Sequence, residues 1–147
     1  MFQHLLIPTD GSKLSSGAIQ GGIELAKAIK AKVTGFYAAP ECSPAVYEDS
    51  FPIYSMSREE FLGASKTRAE SYLAAIETLA KEAGVNYQGA WRTSDHPAEA
   101  IIRAAENNGC DLIYMASHGR KGIQALLLGS ETQKVLTHCK IPVLVHR

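Results

Sequence analysis

The chain has 147 residues, and fifteen Lys plus Arg offset fifteen Asp plus Glu, so its formal charge is zero. That length suits one domain spanning 1–147 and not two. Neutrality excludes the wholesale nucleic-acid or membrane-surface binding that a strong basic excess supports.

Hydrophobic residues make up 46% of the chain and charged ones 20%, the composition of a soluble, core-forming protein. No apolar run approaches the roughly 20 residues of a membrane-spanning helix. The opening Met-Phe-Gln-His-Leu-Leu-Ile-Pro lacks the basic segment and small-residue cleavage site of a signal peptide. Three cysteines, Cys42, Cys110 and Cys139, are odd in number and have no CxxC spacing. They fit a reduced cytoplasm better than a disulfide framework or a structural zinc site.

In chain order, Phe2–Pro8 is a short apolar run ended by proline, which predicts a buried strand. Ser12–Lys30 places Ile19, Ile23, Ala26 and Ile29 on one helical face, with Lys27 and Lys30 where the helix dipole favours cations. Lys32–Ala39 is a second strand. Pro40–Ser57 is irregular, with Pro40, Pro44 and Pro52 among Tyr47, Phe51 and Tyr54. A connection of that length is a candidate lid over a ligand or a surface flap. Residues 58–83 keep Leu62, Ala69, Leu73, Ile76, Ala80 and Ala83 on one stripe until Gly84 stops the helix.

Val85–Arg92 reads as a third strand, and Trp91 is expected to pack near it. Pro97 suits a first helical turn, and Asn108-Gly109 ends the helix that follows. Leu112–Ala116 is a fourth strand, Ser130–His138 a short helix and Pro142–His146 a fifth strand. Five strands alternating with helices predict a doubly wound α/β domain, its parallel sheet covered on both faces. Such strands should be apolar nearly throughout.

Open parallel sheets bind ligands beyond the carboxyl ends of their strands, where strand order reverses. The first strand leads into Pro8-Thr9-Asp10-Gly11-Ser12, whose Asp10 carboxylate could meet a ribose hydroxyl or a metal ion. Ser12 is read as the cap of the next helix. The fourth strand leads into Met115-Ala116-Ser117-His118-Gly119-Arg120-Lys121-Gly122, and Gly129-Ser130-Glu131-Thr132 opens the last helix. Backbone N–H groups of such a loop, together with a helix amino terminus, suit a phosphate. The competing reading is a capping box, Ser130-x-x-Gln133, which would satisfy the helix start without a ligand. His4, His96, His138 and His146 have no metal-ligand spacing, and Cys110 and Cys139 read as small buried hydrophobes.

These motifs resemble the universal stress protein family over essentially the whole chain. The resemblance rests on Ile7-Pro8-Thr9-Asp10-Gly11-Ser12, on Met115–Arg147, and on the ending Val135-Leu136-x5-Pro142-Val143-Leu144-Val145. The nucleotide-binding branch carries G-x2-G-x9-G-[S/T], and this chain has Ala116-x2-Gly119-x9-Gly129-Ser130. Ala116 therefore stands where the motif has its first glycine, and its extra methyl group could crowd a closely approaching ligand.

The resemblance implies a Rossmann-like sheet in the order 3-2-1-4-5 with ATP across the crevice. It places Pro8, Thr9 and Asp10 on the adenosine side, with Asp10 nearest the ribose and any magnesium ion held through the phosphates. Ala38 would offer backbone groups to the adenine edge. Met115, Ala116, His118 and Gly119 would line the sugar and phosphates, and Gly129, Ser130, Glu131 and Thr132 would hold the phosphates. A homodimer through the last strand, Pro142–His146, is also implied, and an apolar edge strand needs a cover on physical grounds as well.

The functional expectation is a cytoplasmic stress-response protein that binds ATP as a nucleotide-dependent sensor or regulator, working on an unidentified protein partner. No residue is placed to position an attacking water and there is no full Walker A sequence, so hydrolysis would be slow at most. The alternative is a nucleotide-free dimeric interaction module, which Ala116 favours. A phosphoacceptor role lacks an aspartate ending the third strand and a lysine ending the fifth. Leu112–Arg147 carries five basic residues (Arg120, Lys121, Lys134, Lys140, Arg147) against the single acid Glu131, so the basic excess coincides with the candidate phosphate loop.

Overall fold

The fold follows from apolar runs that become strands and periodic segments between them that become helices. In the computed structural model, which describes residues 1–41, 57–118 and 128–147, the elements alternate strictly. They are β1 (His4–Thr9), α1 (Lys13–Ile29), β2 (Lys32–Ala39), α2 (Arg58–Ala83), β3 (Tyr87–Thr93), α3 (Pro97–Asn107), β4 (Leu112–Ala116), α4 (Ser130–His138) and β5 (Val143–His146). All strand pairs are parallel, and the order is β3-β2-β1-β4-β5. Most of the candidate lid (residues 42–56) and the loop holding Gly119, Arg120 and Lys121 lie outside the described residues.

Alternation along the strands divides the core between two faces. Leu5, Ile7, Val33, Leu112 and Tyr114 pack with α1 and α2, through Ile19, Ile23, Leu73 and Ile76. Leu6, Phe36, Ile113 and Met115 pack on the other face with Ile101, Ala105 and Val135 of α3 and α4. Consecutive strands therefore bury both faces, as a doubly wound sheet demands.

Element ends differ from the sequence expectation where a specific hydrogen bond intervenes. Phe2 and Gln3 fall outside β1, because the Asp111 carboxylate accepts from Gln3 N–H at 2.8 Å and from His4 N–H at 2.9 Å. Val85 belongs to the turn closing α2, not to β3. Gly84 takes a left-handed φ of 72° there, and Val85 N–H donates to the Ala80 carbonyl at 2.8 Å. Pro142 has no N–H to give the ladder, so β5 starts one residue later, although the Pro142 carbonyl accepts from Ile113 N–H at 2.9 Å.

The strands are not all apolar. β3 exposes Gln88, Gly89 and Arg92, and β5 exposes Leu144, because these two strands form the edges of the sheet. Ser57 and Glu60 form a capping box at the start of α2. Trp91 packs against the first core cluster and against Tyr37.

Candidate functional site

Strand order reverses between β1 and β4, which pair side by side, so the crevice opens beyond Thr9 and Ala116. On the β1 side the backbone turns sharply. Gly11 has φ +76°, a conformation that residues with a Cβ rarely adopt. The Asp10 carboxylate accepts from Ser12 N–H at 2.9 Å, and Thr9 Oγ1 accepts from Gly11 N–H at 3.1 Å. Thr9 is itself tied to Ser15 of α1, their hydroxyls 2.9 Å apart. Ser12 caps α1 by accepting from Ser15 N–H, in agreement with its capping assignment. Asp10, half-buried, sits at the mouth of the crevice, with Pro8 and Thr9 buried beneath it.

On the β4 side the residue after Ala116 meets Gly129. Gly129 N–H donates to the Ser117 carbonyl at 2.8 Å, and Ser117 N–H donates to the His146 carbonyl at the end of β5, also at 2.8 Å. Ser117 and Gly129 are therefore held side by side. Met115 and Ala116 are buried behind it. Ser117 Oγ lies 2.9 Å from His118 Nδ1, while His118 Nε2 is buried without a hydrogen-bond partner among the described residues. Ala38, partly buried, is the penultimate residue of β2, the strand on the far side of β1 from β4.

The start of α4 departs from the capping-box expectation. Gly129 is the residue before the first helical turn, and no side chain caps it. Gln133 turns back instead to the Leu128 carbonyl, at 3.1 Å. Ser130 is exposed. The amino end of α4 thus keeps N–H groups that its own side chains do not cap, beside the crevice.

Thr132 and Glu131 face other duties. The buried Thr132 hydroxyl donates to the Ala116 carbonyl at 3.1 Å, which commits its only proton inside the protein. The Glu131 carboxylate accepts from Ala98 N–H in the first turn of α3 at 2.9 Å and from Lys134 Nζ at 2.8 Å. It thereby supplies an acceptor that α3 lacks, since His96 makes no side-chain cap. Burial opposes ionisation of Glu131, yet the Lys134 and Ala98 hydrogen bonds outweigh it and hold the carboxyl below its ordinary range. Pairwise spacing along the chain carries no signal of this contact, which joins residues 33 positions apart.

No group of three or more His, Cys, Asp or Glu residues that could hold a metal ion occurs among the described residues. At the opposite edge of the sheet a cavity of about 750 Å³ is lined by Phe2, Lys27, Lys30, Lys32, Val85 and Asn86, among others. It lies far from the switch point, and Lys27 there answers the carboxyl-end dipole of α1.

A family model for the universal stress protein family matches residues 1–147. The chain belongs to the universal stress protein family. This universal stress protein is 32% identical to Universal stress protein MJ0531 of Methanocaldococcus jannaschii, over 99% of this chain and 82% of that one. Hypothetical protein MJ0577, from the same archaeon, shares the architecture with a TM-score of 0.78 and 27% identity, covering 99% of this chain and 95% of that chain. A universal stress protein solved in complex with cAMP superposes with a TM-score of 0.72 and 26% identity, covering 99% of this chain and 97% of that chain. The five-stranded 3-2-1-4-5 sheet expected from the family resemblance is the one observed.

Proposed function

We propose that this universal stress protein binds an adenine nucleotide, ATP above all, in the crevice between β1 and β4, and acts as a nucleotide-dependent sensor or regulator. One observation carries the reading. Ser117, which follows Ala116, meets Gly129 at the topological switch point, and the amino end of α4 there has no side-chain cap among the described residues. His118 Nε2, buried without a partner among the described residues, supports it by offering a hydrogen-bonding group at the same place. So does the cAMP complex of a relative, a smaller adenine nucleotide.

In this reading Pro8, Thr9 and Asp10 face the adenosine, and Ala38 offers its backbone to the adenine edge. Met115, Ala116, His118 and Gly119 line the sugar and phosphates. Gly129, Ser130, Glu131 and Thr132 hold the phosphates by backbone N–H groups, because the Glu131 and Thr132 side chains are engaged elsewhere. Magnesium enters with the phosphates near Asp10. No helix of the described residues is long and apolar enough to cross a membrane. The protein works in the cytoplasm, as a homodimer paired through β5, on a regulatory protein partner and with no nucleic acid.

Calorimetric titration of nucleotide-free protein with ATP and Mg²⁺ tests this reading, and absence of binding at millimolar ATP overturns it. Ala116→Gly restores the motif and should tighten ATP binding, while an unchanged affinity would place the ligand away from β4. Ala116 also favours the second reading, a nucleotide-free dimeric interaction module. Protein mass analysis straight from cells separates the two, since co-purified nucleotide excludes the module.

A further inference from the structure

The turn after β1 lies against a residue of α2, Tyr72. A Cβ built on Gly11 would lie 2.3 Å from Cζ of Tyr72 and 2.5 Å from its Cε1, closer than any real contact. The phenol ring therefore occupies the space in which a Gly11 side chain would sit. Tyr72 is fixed in its turn. Its ring meets Tyr37 edge-on, centroids 5.0 Å apart and planes at 86°, and both pack in one cluster with Ala39, Ala69 and Trp91. The ladder supports the cluster from below, because Thr9, Tyr37 and Trp91 are paired neighbours across β1, β2 and β3.

We infer that Tyr72 is the positioning residue of the candidate nucleotide site, holding the Asp10-Gly11-Ser12 turn so that Asp10 meets the ribose. This rests on the adenine-nucleotide reading above. The ring abuts the backbone at Gly11, and the next residue's N–H donates to the Asp10 carboxylate. A small displacement of Gly11 swings both. Misplacement of a contact by about 1 Å is enough to cost large factors in a bound complex. Only ligand groups that touch Asp10 should feel it, so the consequence is selective: discrimination between ribose and 2′-deoxyribose depends on a side chain that touches neither.

The test is a calorimetric comparison of ATP with 2′-deoxy-ATP on the full chain. Wild type should prefer the ribonucleotide, and Tyr72→Ala should lower ATP affinity about tenfold, the scale of one hydrogen bond to a charged group, with 2′-deoxy-ATP little changed. Asp10→Asn should remove the preference, and adding Tyr72→Ala to it should leave the ratio of the two affinities unchanged. Equal losses for both nucleotides, or an intact preference in Tyr72→Ala, overturn the inference while leaving nucleotide binding in place. A wild type that binds both nucleotides equally overturns it too. Failure of wild type to bind either nucleotide overturns the adenine-nucleotide reading and this inference with it. If Tyr72→Ala does not fold, by circular dichroism, Tyr72→Leu fills part of the space without the flat ring and is read by the same criteria.

Discussion

Glu131 separates a structural from a ligand-binding role more sharply than any other residue of the crevice. Its carboxylate bridges the first turns of α3 and α4, accepting from Ala98 N–H and Lys134 Nζ. Glu131→Ala leaves the Ala98 N–H without its acceptor and α3 without a cap. Loss of a cap costs about 1 kcal/mol. A charge-assisted bond could add about 1.5–3 kcal/mol, but the side chain is 36% exposed, so screening cuts that share. The expected loss is therefore about 1 kcal/mol, or a melting temperature lower by about 2–4 °C for a domain of this size.

The pH dependence has a defined sign. The folded-state pKa of Glu131 lies below its unfolded value, so its contribution is present above the ordinary Glu range and is lost as pH falls through the folded value. Urea unfolding at pH 7 and at pH 3 measures both effects, and the gap between wild type and Glu131→Ala should narrow in acid. The binding arm runs the other way. Glu131→Gln removes a negative charge beside the candidate phosphate seat and should leave ATP affinity equal or tighter. A clear loss of ATP affinity in Glu131→Gln, with stability unchanged in Glu131→Ala, would refute this account.

Two further outcomes follow from groups away from the crevice. His4 is buried at the start of β1, with Nε2 2.7 Å from Thr34 Oγ1, which in turn accepts from Gln88 Nε2. Burial and then the Lys32 charge lower its pKa from 6.5, against the carbonyls of Gly109 and Asn108 and the Asp111 carboxylate. Its neutral form thus stabilises the fold above pH 6.5, and that stability is lost as pH falls below it. The urea midpoint should drop between pH 7 and 5, and His4→Gln should flatten this slope; an identical slope in the variant would contradict the assignment. On the β5 edge, Leu144 is 38% exposed and Leu136 of α4 is 42% exposed. Leu144→Glu should convert a β5-paired homodimer to monomer in sedimentation velocity, without change in melting temperature beyond that of dimer loss, whereas a dimer that survives the substitution uses another face.

Much of this molecule was legible before folding because its signals are local. Hydrophobic runs and the 3.6-residue period marked every element, and Gly84 and Pro97 marked a helix end and a helix start, because each acts within one turn of its own position. The positions of Asp10 and of the two glycine-motif halves were also readable, since ligand crevices of parallel sheets follow strand ends. The family resemblance then supplied the strand order that βαβ alternation alone leaves open.

What only the tertiary structure decided are contacts between residues far apart in the chain. Ser130-x-x-Gln133 has a capping box's spacing, yet Gly129 takes the cap position and Gln133 bonds the Leu128 carbonyl. The Glu131 and Thr132 side chains turn from a ligand to Ala98 and Ala116. The edges of the sheet expose part of β3 and β5 in strands expected to be buried. The ring of Tyr72 comes to rest on Gly11 across 61 positions of sequence. Composition, charge balance and periodicity determine which segments order and which faces they bury. Which donor meets which acceptor depends on how two surfaces are brought within about 3 Å, and that is set by packing.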